Sequence, residues 1–321
     1  MSRRSRDPEA LVTLATAGDR SALARLLTMV ERGGDDARAV SRLVHPLGGE
    51  AYTVGLTGAP GAGKSTLTSM LIGHLRGLRL EVAVLAIDPS SPFSGGAILG
   101  DRVRMQDHAT DPGVFIRSMA TRGHLGGLSL ATPEAIRVLD AVGKRLVLVE
   151  TVGVGQVEVE IAGKADTTVV VVNPGWGDSV QANKAGLMEI ADVFVINKAD
   201  RKGVDETRRD LELMLDLTDL SDMGDWRPPI IPTVASEGKG IVDVWDAVQQ
   251  HRDHVASTGQ LEHRRARRLR DELRAIVARR LEERARAICT GARWDELHAG
   301  VLDRSIDPWV AADEMLSGVD A

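Results

Sequence analysis

Residues Gly58-Ala59-Pro60-Gly61-Ala62-Gly63-Lys64-Ser65-Thr66 have the spacing G-x-x-x-x-G-K-[ST]. They follow the apolar run TVGLT and lead into the helical pattern KSTLTSMLIGHL. Glycines at these places let the backbone curl until its N–H groups converge. The start of the helix adds positive potential, and the lysine adds a full charge. That combination suits a polyphosphate: Lys64 is placed for the β- and γ-phosphates, and the Ser65 hydroxyl for Mg²⁺.

A second group of residues reads as a base site. Asn197-Lys198-Ala199-Asp200 closes the strand pattern VFVIN. An aspartate there can accept hydrogen bonds from N1 and N2 of guanine, a donor pair that adenine lacks. The stretch ASEGKG at 235–240 follows the next strand, where Ser236, Glu237 and Gly238 can close over a base.

Three acids are candidates for the metal side: Asp88 at the end of VAVLAID, Asp101 in GGAILGDRVRM and Glu150 in VETVGVGQVEVE. Mg²⁺ takes few protein ligands and keeps several waters, so some of the three are expected to act through water. Glu150, two further residues and Gly153 have the spacing of a phosphate-sensing switch, with glutamate in place of the common aspartate. The Gly153 N–H can approach a γ-phosphate. Val154 then stands where a water-orienting glutamine is common, and Gln156 lies three residues beyond Gly153. Two other loops at strand ends carry Arg122 and His124, and Trp176, as possible contacts for phosphate or a partner.

The elements that must position these residues alternate. Strand patterns fall at Tyr52–Thr57, Glu81–Ile87, Val114–Met119, Arg145–Thr151, Thr167–Asn173, Val193–Asn197 and Ile230–Val234. Runs such as VAVLAI and VVVV are apolar on both faces, as strands of a covered parallel sheet must be. Helical patterns lie between most of them, at 64–76, 133–143, 181–191, 204–217 and 240–254. The expectation is a doubly wound α/β domain over 51–256. Residues 1–50 read as an N-terminal helical extension and 257–321 as a C-terminal helical arm. Within the arm, 261–288 is one long helical pattern with Leu269, Leu273, Ile276, Val277 and Leu281 on one stripe. Its arginine-rich face reads as solvated. Asp307-Pro308 reads as the cap and first residue of a last helix.

Composition narrows the class. The net charge of −6 supplies no global basic field for nucleic acid. No apolar run approaches the ~20 residues that span a bilayer. The basic start MSRRSRDPEALV lacks the apolar core of a signal peptide. Cys289 is the single cysteine, which excludes an intrachain disulfide and a CxxC metal site and points to a reducing cytoplasm. It reads as a small side chain buried in a helix.

Together the stretches GLTGAPGAGKST, VLAIDPSSPFSGGAILGDRVRM, VETVGVGQVEVE, NPGWGDSVQANKAGLMEIADVFVINKAD and SIDPWVAADEML resemble the methylmalonyl-CoA mutase-associated GTPases of MeaB or ArgK type, within the metallochaperone-like P-loop GTPases. The resemblance extends over nearly the whole chain. It implies a GTP-hydrolysing chaperone that gates cofactor loading of an adenosylcobalamin-dependent mutase and protects or reactivates it. It implies GTP/GDP and Mg²⁺ as ligands and a homodimer built through the C-terminal helices. By motif it assigns Lys64 and Ser65 to phosphate and Mg²⁺, and Asp88, Asp101 and Glu150 to the metal-and-switch set. Asn197, Lys198 and Asp200 fall to guanine, and Ser236 and Glu237 to the base-closing loop. Pro92-Phe93 departs from the small polar residues expected in the first switch. Two other readings compete with this one. A nickel-insertion metallochaperone needs Cys or His clusters, whereas the eight histidines here are scattered. A transport-associated ATPase or kinase would prefer ATP, against NKAD.

Overall fold

A computed structural model of the chain describes residues 7–88, 106–120, 127–151, 165–175, 187–217 and 226–317, with backbone alone at 88, 106, 120 and 127–130. Asp101, Gly153, Val154, Gln156, Pro92, Phe93, Arg122, His124 and Trp176 lie outside the described residues, as do the Asp88 side chain and most of the helix expected at 181–191.

Seven strands, β1 (Tyr52–Gly58), β2 (Val82–Asp88), β3 (Val114–Ala120), β4 (Leu146–Thr151), β5 (Thr167–Val172), β6 (Val193–Asn197) and β7 (Ile230–Thr233), form one sheet in the order β3-β2-β4-β1-β5-β6-β7. Every pairing is parallel. Successive side chains on a strand point to opposite faces, which is why the central strands are apolar throughout. Val54, Leu56, Val84, Leu148, Val169 and Val195 pack under helices α4 (Lys64–Gly77) and α7 (Ile241–Ser257). On the other face Leu85, Val147 and Val149 meet α5 (Gly127–Ala141) and three N-terminal helices, α1 (Pro8–Thr16), α2 (Arg20–Arg32) and α3 (Gly34–Val44). Val170 and Phe194 meet α6 (Val204–Leu217) on that same side of the sheet. The N-terminal helices are therefore packed on the sheet. Arg20 donates to Pro112 O and Val114 O, which covers backbone on the edge strand β3.

Helix α5 begins at Gly127, six residues before the expected start, and carries Pro133 inside it. The pattern placed the proline at the first helical position, where a missing N–H costs nothing.

At the amino ends of the strands, opposite the P-loop, buried acids organise the fold. Asp140 accepts from the N–H groups of Gly49, Glu50 and Ala51 just before β1. Asp166 accepts from Thr53 N at 3.0 Å and binds Arg265 and Arg268. Asp192 accepts from Thr168 N at 2.8 Å, and it binds His251 at 3.1 Å and Arg264 at 3.0 Å. His251 Nδ1 meets Thr167 Oγ1 at 2.8 Å, which meets the Tyr52 hydroxyl at 2.6 Å. The Asp–His–Thr order resembles a catalytic triad, but His251 is wholly buried, so the cluster is a brace and has no access to substrate. The three arginines belong to helix α8 (Gln260–Ile288). Its basic face is thus not simply solvated, as the charge pattern suggested. These guanidinium groups end on carboxylates whose burial demands a partner.

The chain divides into two compact units after Arg268. The second contains the rest of α8, α9 (Ala292–Leu302) and α10 (Pro308–Ser317). Asp307 caps α10 as expected, accepting from Trp309 N at 2.8 Å. Arg293 of α9 reaches Glu314 of α10, and Leu297 and Ala311 are buried. Leu269, Leu273, Val277 and Leu281 remain exposed along α8, as does Trp309 of α10. Cys289 stands one residue past α8 and is half-buried, which corrects its reading as an interior side chain. None of the described helices is long and apolar enough to cross a membrane.

Candidate functional site

The described residues among the expected site converge at the carboxyl ends of β1, β4, β6 and β7, where ligands bind in open parallel sheets. Strand β1 ends at Gly58, whose φ is 134°. A Cβ there would lie 1.9 Å from Val171 O on β5, so only glycine lets the loop leave the sheet. Gly63, at φ 92°, precedes α4, and a Cβ on it would lie 2.4 Å from Asn197 Nδ2. Between them the loop curls over the start of α4, whose first N–H groups have no partner within the helix. Lys64 is only 7 % exposed, and its ammonium donates to Gly58 O at 2.8 Å and Ala59 O at 3.1 Å. Ser65 is buried beside it, while Pro60, Gly61 and Thr66 are exposed.

Asn197 ties this loop to the base side. Its Nδ2 donates to Ala62 O at 2.7 Å, and its Oδ1 accepts from Thr233 Oγ1 and Ala235 N, both at 3.1 Å. One buried amide thereby joins the P-loop, β7 and the turn at Ala235–Glu237. The motif assigned Asn197 to guanine, and the structure places it behind the loops. Lys198 adopts the left-handed region at φ 59°, and its ammonium donates to Gly61 O at 2.5 Å, so its stem crosses the P-loop. Asp200, Ser236 and Glu237 are exposed at this end of the sheet. Lys239 pairs with Glu237 at 2.6 Å. The hydrogen bond to Glu237, with the charges of Glu237 and Asp200, raises the lysine pKa.

Glu150 is wholly buried near the end of β4, in register with Leu56 of β1 and Ala86 of β2. It shares the α4 face with Leu146 and Leu148, the face from which the P-loop lysine springs. Asp88 is the last residue of β2. The oxygen donors described here fit Mg²⁺: a serine hydroxyl in the first turn of α4 and a glutamate carboxylate on the same side of the sheet. This ion takes only one or two such protein ligands beside substrate phosphates.

Residues 23–290 match the model of the family described as methylmalonyl-CoA mutase-associated GTPase MeaB. The chain belongs to that family. A relative from Pyrococcus abyssi is 52% identical over 311 residues, 96% of each chain. The GTPase ArgK of Escherichia coli is 38% identical over 252 residues, 76% of each. A mouse protein named methylmalonic aciduria type A homolog, mitochondrial, is 36% identical over 271 residues, 79% of this chain and 65% of that one. Among solved structures, a LAO/AO transport system kinase superposes with a TM-score of 0.71 at 24% identity, covering 98% of both chains, which shows the fold. As a member of a GTPase family, the chain is a P-loop protein that binds guanine nucleotide.

Sequence reasoning missed two participants at this end of the sheet, Thr57 and Thr151. Their hydroxyls lie 3.0 Å apart between β1 and β4. Each directly neighbours a residue that was singled out, Gly58 and Glu150, and that adjacency was the available signal.

Proposed function

We propose that the chain hydrolyses GTP and serves as a chaperone of an adenosylcobalamin-dependent acyl-CoA mutase, gating cofactor loading and protecting or reactivating the enzyme. The observation that best supports the nucleotide chemistry is the Asn197 brace, which builds phosphate loop and base loop into one site. In this reading Lys64 turns from the carbonyls of Gly58 and Ala59 to the β- and γ-phosphates. The N–H groups of Gly61 through Thr66 cradle the phosphates. Lys198 lays its stem along the base, Asp200 accepts from guanine N1 and N2, and Ser236, Glu237 and Gly238 close over it. Ser65 and Glu150, with Asp88 and Asp101, belong to the Mg²⁺ side. Bound Mg²⁺ would neutralise charge on the phosphate oxygens. Gly153 would sense the γ-phosphate.

Base recognition gives a direct test. Hydrogen bonds to a charged acceptor contribute about 1.5–3 kcal/mol each. Asp200→Asn is therefore expected to reduce the preference for GDP over ADP by about 10- to 100-fold. Competition binding that shows unchanged discrimination would remove the guanine role of Asp200.

The chaperone reading predicts slow basal hydrolysis, because Val154 follows Gly153 where a glutamine would orient water. The host's cobalamin-dependent mutase should raise the rate and co-purify with the chain in a manner that depends on a non-hydrolysable GTP analogue. A fast basal rate, indifferent to the mutase, would contradict it. The exposed stripe Leu269, Leu273, Val277 and Leu281 supports pairing of two copies through α8. Composition supports a cytoplasmic setting.

A further inference from the structure

We propose that Thr57 and Thr151 are positioning residues for hydrolysis, a buried hydroxyl pair that fixes the end of β4 against the P-loop strand. The proposal rests on the GTPase reading above. The β1–β4 ladder has its last rung at Leu56↔Glu150. Beyond it, Thr57 and Gly58 pair with Val170 and Val171 of β5 on the other side. Toward β2, strand β4 stays paired one residue further, at Ile87↔Thr151. On the P-loop side, side chains take over where the backbone ladder stops. Thr151 Oγ1 lies 3.3 Å from Leu56 O and 3.0 Å from Thr57 Oγ1. Thr151 is the donor to both, sharing its one hydroxyl proton between the Thr57 oxygen and the Leu56 carbonyl. Thr151 is 0 % exposed and Thr57 1 %.

Both threonines lie on the face opposite Glu150, since they alternate with Leu56 and Glu150 along their strands. Neither can touch a ligand on the α4 face. What they hold is backbone: the peptide after Glu150, two residues before Gly153, against the strand that becomes the P-loop. A misplacement of about 1 Å at a reacting centre can cost about 10²-fold in rate. A tie here acts on the rate, while the phosphates keep the P-loop that binds them.

The clean variant is the double substitution Thr57→Val with Thr151→Val. The double substitution removes both hydroxyls together, so neither is left buried opposite a methyl group, and its one remaining loss is the Thr151 donor to the Leu56 carbonyl, which T151S keeps. Valine also suits a strand. The experiment compares the full-length chain, T57V/T151V and T151S for GDP and GTP-analogue affinity, thermal midpoint and single-turnover GTP hydrolysis. The double variant is expected to bind within about threefold of the parent, to melt about a few degrees lower for the lost donor to Leu56 O, and to hydrolyse at least about tenfold more slowly. T151S, which keeps the hydroxyl, should recover most of the rate. Parental hydrolysis in the double variant would overturn the proposal. So would affinity falling as far as the rate, or a serine variant as slow as the valine one. A parent chain that binds GTP and never hydrolyses it would instead sink the underlying GTPase reading, before the threonines are compared.

Discussion

Lys64→Ala is expected to abolish measurable nucleotide binding and turnover while the chain still folds. The ammonium already sits in the curl of the loop, on Gly58 O and Ala59 O, nearly shielded from water. Its position is therefore set before the ligand arrives, and little conformational freedom remains to be lost on binding. When phosphate enters, the charge moves from two neutral carbonyls to anionic oxygens. Two charge-assisted bonds of about 1.5–3 kcal/mol each correspond to about 10²- to 10⁴-fold in affinity. Alanine is the best helix former and stands here at the first helical position, so α4 is not at risk. The loop loses two hydrogen bonds, to Gly58 O and Ala59 O, and the removed side chain leaves room for water to take its place on these carbonyls. Calorimetric titration with GDP and GTP, beside a thermal melt, checks this. A variant that binds and turns over normally would show that the P-loop is not the phosphate site.

Much of this site was legible because its signals are local. The glycine spacing of the P-loop dictates a curl whatever the rest of the chain does, and NKAD announces a strand end. Short β-rich apolar runs identified the seven described strands within a residue or two. What escaped depends on partners far apart in sequence. Asn197 is bonded to Ala62, and nothing near either residue predicts that contact. Arg264, Arg265 and Arg268 resembled the rest of a charged helical face, since the sequence period places residues on a face and does not say what lies opposite. A signal did exist on the other side of these pairs. Asp166 and Asp192 each follow an alanine and immediately precede an apolar strand, in KADTTVVVV and IADVFVIN. Asp166 and Asp192 are buried there, and a buried acid needs a cation or several N–H donors.

Removing the cations that answer that need should be the most destabilising change in the domain. In the double variant Arg265→Ala with Arg268→Ala, Asp166 keeps the N–H of Thr53 and loses both guanidinium groups. Breaking a buried pair from one side costs about 3–5 kcal/mol, against a total stability of about 5–15 kcal/mol for a typical domain. Urea denaturation at neutral pH should report that loss, and a midpoint that changes by less than the equivalent of about 1 kcal/mol would refute the role. The pH dependence distinguishes a charge effect from lost packing. Burial alone would raise the Asp166 pKa, but the hydrogen bond from Arg265 and the charges of Arg268 and Arg265 outweigh it, and the group is held below the ordinary carboxylate value. Asp192 is lowered likewise, with burial opposed by the hydrogen bond and charge of His251 and by Arg264. A depressed folded pKa means stability that is complete above the unfolded value of about 3.9 and lost as pH falls through the folded value. Without its arginines Asp166 is left to burial, which drives its pKa upward. The gap between parent and variant is thus widest at neutral pH and narrows as acid protonates Asp166 in both. At the other limit burial holds the Tyr52 hydroxyl up at about 12. Its neutral form then favours the fold fully below pH ~10, and that contribution is lost as pH rises toward the folded value. A gap that stayed constant from pH 7 to pH 3 would assign the arginines a packing role only. The carboxylates would then owe their low pKa to the N–H groups at the strand ends.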